Sequence, residues 1–131
     1  MSHITSKHLC IAFGIAFLGA GLLGFVPNPL VAPEGIFEVN LAHNLVHIGT
    51  ALVFITAAFG SEATARTTVQ AVGLAYVGVT VLGFLLNGHL LLGLVHINEA
   101  DKWLHAGLAL VILGAGFGLP KRHTRQATLG I

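Results

Sequence analysis

NLAHNLVHIGTALVFITAAFG (residues 40–60) and NEADKWLHAGLALVILGAGFG (98–118) superpose at a shift of 58, with ten of twenty-one positions identical. Apolar composition alone does not supply the matches in register of Asn40 with Asn98, His47 with His105, Gly49 with Gly107 and Gly60 with Gly118. Upstream of each copy, a shift of 59 pairs Gly14 with Gly73, Ala16 with Ala75, Gly19 with Gly78 and Gly24-Phe25 with Gly83-Phe84. The duplicated unit is therefore a pair of apolar segments, repeated once along the chain.

The solvent for these segments follows from composition. Of 131 residues, 55% are hydrophobic and 8% charged, with a mean hydropathy of +0.88. A soluble domain carries roughly a quarter charged residues, so lipid is the expected surrounding. A net charge of +1, with basic residues in ones and threes, excludes a nucleic-acid interface. The single cysteine, Cys10, has no internal partner for a disulfide and reads as a small buried residue.

Four spans are expected: about His8 to Val26, Asn40 to Phe59, Thr68 to Leu86, and Asp101 to Leu119 before Pro120. Each approaches the roughly 20 residues that cross the hydrocarbon core. Punctuating residues separate them: Pro27-Asn28-Pro29, Pro33-Glu34-Gly35, Gly60-Ser61-Glu62 and Asn87-Gly88-His89. The stretches Leu30 to Val39 and Leu90 to Ile97 are too short to cross and are expected in the interface or dipping into the bundle. A cleaved leader is the other reading of the first span, since Lys7 precedes an apolar core. That core is long, and the nearest small-residue site, Ala32, is followed by proline, so a retained span is expected.

Lys7, Arg66, Lys121, Arg122 and Arg125 fall on one side of these spans and only Lys102 on the other, which predicts both termini in the cytoplasm of a bacterial inner membrane. The KRHTR stretch (121–125) then serves as the topology anchor, while Glu34, Glu38, Glu99 and Asp101 make the outer end acidic. Two spans per repeat return the chain to its starting side, so the copies are expected to be related by a pseudo-twofold axis along the membrane normal. The fold class is an all-α membrane protein: a single four-helix transmembrane domain of two tandem hairpins, about 8–60 and 67–119.

Asn40, His43 and His47 fall at spacing 0, 3, 7 in span two, and Asn98, Asp101 and His105 repeat that spacing in span four, so each set lies on one helical face. The histidines sit roughly 10 Å inside their helix starts, with His96 and Glu99 on nearby loop positions. Facing lipid, such stripes are costly; facing each other, they admit several readings. His43, His47, Asp101 and His105 form a three-histidine, one-carboxylate set suited to zinc or another transition metal. His47 and His105, as repeat equivalents, are alternatively axial ligands of a haem or holders of a chlorophyll-type pigment. The plainer reading is helix pinning by interhelical hydrogen bonds, and a proton or solute path is a further one. No CxxCH or HExxH motif decides among them. Tyr76, which aligns with Phe17, and Trp103, at a span end, read as structural, and His3, His8 and His123 as solvated boundary residues.

HNLVHIGTAL (43–52) and NEADKWLHAGLAL (98–110), set in a four-span pattern, resemble domain-of-unknown-function family 4383, small bacterial four-helix membrane proteins. The resemblance runs from about Leu9 to Leu119, its specific parts being the HNxVH and ADxWLH elements. It implies the four-helix fold and marks His43, Asn44, His47, Asp101 and His105 without naming their role. Lys102 departs from the pattern, which expects a neutral polar residue such as asparagine there. Pairing of Lys102 with Asp101 or Glu99 weakens the metal reading.

With short connections and no nucleotide or nucleophile motif, the expected role is a non-enzymatic accessory or assembly subunit of a larger respiratory or photosynthetic membrane complex. Its partners are then other membrane subunits or further copies of itself. The alternative is a metal-binding or transport protein using His43, His47, Asp101 and His105. A membrane enzyme with metal-activated water at the same stripe is the third reading.

Overall fold

A computed structural model describes residues 3–86 and 88–120. The basic stretch at 121–125 lies outside them. The described chain runs α1 (Ser6–Leu23), β1 (Val31–Ala32), β2 (Phe37–Glu38), α2 (Leu41–Phe59), α3 (Glu62–Leu85), β3 (Leu90–Leu91), β4 (Val95–His96) and α4 (Glu99–Gly118). Each repeat is thus two helices joined by a two-stranded ribbon, and the two ribbons share one end of the bundle.

Each helix starts where a side chain answers a free backbone N–H. Thr5, Asn40, Ser61 and Asn98 are the N-caps, accepting from the amides of His8, His43, Thr64 and Asp101. The α3 cap at Ser61 explains why that helix begins six residues before the expected Thr68. Glu62 is also held away from apolar surroundings, because its carboxylate accepts from the backbone N–H groups of Ser6 (2.5 Å) and Lys7 (3.3 Å) and so caps α1. Arg66 Nη2 donates to the Leu119 carbonyl at 2.6 Å, closing the far end of α4.

The packing reverses the soluble pattern. Phe59 is 87% exposed and Leu110 74%, whereas His43, Asn44, His47, Asp101 and His105 are buried. In water so much exposed apolar side chain drives aggregation; in lipid it is the expected exterior. Helices α1, α2 and α3 are long and apolar enough to cross a membrane. Helix α4 is not among them, because Glu99, Asp101 and Lys102 occupy its first turn.

Small residues let the helices of a repeat approach. A Cβ on Gly14 would lie 2.7 Å from Ile55 Cγ1 of α2, and one on its equivalent Gly73 would lie 2.9 Å from the Leu113 Cα of α4. Beyond these hairpin pairs, α1 and α2 both pack on α3, and each ribbon leans across onto the other repeat, β4 on α2 and β2 on α4. Helices α2 and α4 meet through side chains rather than closely packed backbones. The expected meeting of spans two and four thus reduces to contact between their polar stripes.

The two interfacial stretches form ribbons, which the sequence reading did not foresee, and they differ. β3 and β4 pair antiparallel around a tight turn with Leu92 at φ 52° and Gly93 at φ 71°. At the shift of 59, Leu92 corresponds to Pro33, whose ring holds φ near −65° and forbids that turn. Repeat one instead passes through Pro33-Glu34-Gly35, and β1 and β2 take a parallel register.

Candidate metal centre

The ribbon end is built around two reciprocal hydrogen bonds. Asn40 Nδ2 donates to the Leu94 carbonyl at 2.8 Å, and Asn98 Nδ2 donates to the Ile36 carbonyl at 2.9 Å. Ile36 and Leu94 differ by the same 58 positions as Asn40 and Asn98, so one interaction occurs twice about a pseudo-twofold axis. Contacts between equivalent residues mark that axis. Glu38 Oε2 lies 3.2 Å from His96 Nε2, the rings of His47 and His105 are 6.3 Å apart, and those of Phe17 and Tyr76 are 5.3 Å apart.

On this axis three buried imidazoles converge. One ring nitrogen from each of His43, His47 and His105 can be chosen so that all three lie within 4.8 Å of one another. His43 Nε2 is 3.1 Å from His47 Nε2, and the His43 and His105 ring centroids are 5.6 Å apart. Spacing of four residues on α2 stacks His43 and His47 one turn apart, and α4 brings His105 to them from the other repeat. Beneath the cluster Phe17 meets His47 edge-on at 5.4 Å and Tyr76 meets His105 at 5.7 Å, again as repeat equivalents. Tyr76 is therefore part of the floor of the site, a role the sequence signalled only through its alignment with Phe17.

The hydrogen bonding orders the tautomers. His43 Nδ1 faces the His96 carbonyl at 2.6 Å. A carbonyl only accepts, so Nδ1 carries the hydrogen, and in the neutral ring Nε2 presents a bare lone pair. The short Nε2–Nε2 contact then requires His47 Nε2–H to donate to His43. A backbone carbonyl on one nitrogen orients imidazole for metal binding through the other, whose lone pair here accepts from His47 and would pass to an ion once His47 carries its hydrogen on Nδ1 instead. Two nitrogens on a tetrahedral zinc stand roughly 3.3 Å apart, close to the His43–His47 separation. His105 offers the third donor, the three chosen nitrogens standing no more than 4.8 Å apart.

Asp101 is buried on the same face of α4, one turn from His105, but it is not part of the three-donor cluster. Its Oδ2 accepts from the Asn98 N–H at 3.1 Å while Asn98 Oδ1 accepts from the Asp101 N–H at 3.0 Å, a closed capping box. Of the four expected metal ligands the structure thus brings together three. Lys102 Nζ binds Glu99 Oε1 at 2.5 Å, one of the two pairings expected to count against a metal; it falls on a carboxylate outside the expected ligand set and touches none of the three imidazoles. Asn44 is buried beside Gly24, where any Cβ would collide with its carboxamide. Cys10 is buried, with Sγ donating weakly to the Ala65 carbonyl at 3.5 Å, in keeping with a structural role.

Sequence reasoning placed His96 near the stripe but missed its two partners. The signal was available: Glu38 and His96 are equivalents at the shift of 58, and a contact between equivalents falls on the axis. No curated protein and no solved structure matches the chain. The residues that build the centre, from the HNxVH element opening α2 to the ADxWLH element opening α4, lie inside a match over residues 7–118 to the family described as domain of unknown function (DUF4383), and the chain belongs to that family.

Proposed function

We propose that this protein is a non-enzymatic, four-span protein of the bacterial inner membrane that holds one zinc-class transition-metal ion through His43, His47 and His105. One observation carries the reading: three buried imidazole nitrogens lie within 4.8 Å of one another, one of them presented by a ring whose other nitrogen is engaged by a backbone carbonyl. Helix pinning does not account for them, because the reciprocal Asn40 and Asn98 bonds already join the repeats. A planar macrocycle between His47 and His105 fits poorly with His43 Nε2 standing 3.1 Å from His47 Nε2.

In this reading α4 is the fourth span, its charged first turn at the membrane boundary, where Lys102 and Glu99 pair. The ribbon end faces outward and both termini lie in the cytoplasm, as the lysine and arginine distribution favours. Service as an accessory subunit of a larger membrane assembly is compatible with this site, the ion then belonging to the assembly.

Elemental analysis and an absorption spectrum of the full chain in mild detergent test the proposal. The expected result is one equivalent of metal, no Soret band, and loss of the metal in the His47→Ala, His105→Ala double variant. Metal content unchanged by that variant, or a Soret band in the native protein, overturns it.

A further inference from the structure

Repeat one carries a cavity of about 720 Å³ between the segment that follows α1, the β1–β2 turn and the first turn of α2, with Gly24, Phe25 and Val39 on its apolar wall. Four side chains in its lining are polar: Asn28, Glu34, Asn40 and Asn44. Asn28 is committed to its own turn, donating to the Leu23, Val26 and Val31 carbonyls and accepting from the Leu30 and Val31 N–H groups. Asn40 is committed to the helix cap and to the Leu94 carbonyl. Asn44 and Glu34 are not: among the described residues neither side chain has a hydrogen bond or ion pair, although Asn44 is only 4% exposed. A buried carboxamide without a partner is unfavourable, and a ligand in the cavity that supplies the missing hydrogen bond recovers the loss.

Repeat two shows what chemistry fills the equivalent place. At the shifts of 59 and 58, Gly24, Val39 and Asn44 correspond to Gly83, Ile97 and Lys102. A Cβ on Gly83 would lie 3.6 Å from Lys102 Cγ and 3.7 Å from Ile97 Cδ1, so the methylene stem of Lys102 runs along the wall that corresponds to the cavity's. That side chain is 13% exposed, and its ammonium meets Glu99 Oε1 at 2.5 Å. In repeat one the shorter Asn44 leaves the place of the stem open, and Glu34 is the one charged side chain in the lining. The end of α1 and the start of α2 both border the cavity, so their opposite partial charges offset and Glu34 sets the sign. We propose that this cavity binds a primary ammonium on a short aliphatic stem, the stem lying against Gly24 and Val39, the charge answered by Glu34 and an N–H donated to the carboxamide oxygen of Asn44. The ethanolamine headgroup of a phospholipid and a free alkylamine share that chemistry. The inference goes beyond the metal centre and does not rest on it.

The test uses the full-length protein in phosphatidylcholine nanodiscs, titrated with n-butylammonium and followed by the Gly24 backbone amide in nitrogen–proton correlation spectra. A saturable shift is expected, with binding roughly tenfold weaker or worse for tetramethylammonium, which carries the charge without an N–H, and for the anion butyrate. Glu34→Gln, at an exposed position, should weaken n-butylammonium about tenfold. Asn44→Lys, which gives repeat one the residue of repeat two, should abolish the response with unchanged circular dichroism; should that variant fail to fold, Glu34→Gln alone decides. Replacing part of the lipid by phosphatidylethanolamine separates the two sources. A Gly24 shift on its addition, with n-butylammonium weakened by competition, assigns the site to the headgroup, and no change assigns it to the free amine. Absence of a saturable shift with both n-butylammonium and phosphatidylethanolamine, equal binding of tetramethylammonium or butyrate, or a response left unchanged in either folded variant overturns the site.

Discussion

The first turns of α2 and α4 share an origin and a task at one position and have parted at the next two. Asn40 and Asn98 each cap a helix and each reach across to a ribbon carbonyl of the other repeat. Three and four residues on, His43 and Asn44 face Asp101 and Lys102. His43 turns its ring into the centre, while Asp101 turns its carboxylate back onto its own N-cap. Asn44 is buried against Gly24, and Lys102 reaches Glu99. Duplication has kept the helix caps and their cross-repeat bonds symmetric while the cluster is one-sided: repeat one supplies two imidazoles, repeat two supplies one.

The sharpest way to break this comparison is to exchange the chemistry at the diverged pair. His43→Ala removes a donor and the carbonyl-ordered tautomer together, and metal affinity should fall about 100-fold or more. Asp101→Asn should leave affinity within about threefold while costing about 1 kcal/mol through the capping box. Competition with a chelator of known affinity reads the first effect and thermal unfolding in detergent the second. Equal losses of affinity in both variants would place Asp101 among the ligands and restore a four-residue set.

A smaller effect separates the equivalent glycines. An added methyl at position 14 meets Cγ1 of the Ile55 side chain, with the Ala51 carbonyl farther off, whereas at position 73 it meets the backbone of Leu113 in α4. Gly73→Ala should therefore destabilise by about 1–3 kcal/mol, and Gly14→Ala by less, since a side chain yields more readily than a helix backbone. Thermal unfolding of the two variants under one detergent condition checks the order.

The smallest expected difference lies within the conserved pair. Asn98→Ala removes a cap and one cross-repeat bond, and Asn40→Ala removes these and the acceptor for the His96 N–H. Each should cost about 1–2 kcal/mol, with Asn40→Ala the larger. Metal affinity should follow the same order, because only Asn40 steadies the ribbon whose carbonyl holds His43.

Much of this was legible in the residues. The shift of 58 named the equivalents, the 0, 3, 7 spacing put Asn40, His43 and His47 on one face, and among the matched glycines the pair Gly14 and Gly73 sits where helices approach closely, while Gly19, Gly49, Gly78 and Gly107 face open space. What was hidden is three-dimensional in cause. Asp101 follows its asparagine at the same spacing as His43, but spacing says nothing of whether a short carboxylate bonds its own N-cap or a neighbour. The ribbons escaped notice because two-residue strands leave no periodicity. Their difference turned on Pro33, whose fixed φ excludes the turn that Leu92 adopts. The α3 start at Glu62 was obscured because a carboxylate at a helix start reads as a membrane boundary until the backbone amides it caps in another helix are known.

The central claim is that three imidazoles, and no carboxylate, close on one ion. X-ray absorption spectroscopy at the metal edge of the zinc-loaded full-length protein tests it most directly. The account predicts three imidazole nitrogens at about 2.0–2.1 Å, visible through ring multiple scattering, with a water-type oxygen completing four-coordination. A shell dominated by oxygen, or one with fewer than three imidazoles, would contradict it.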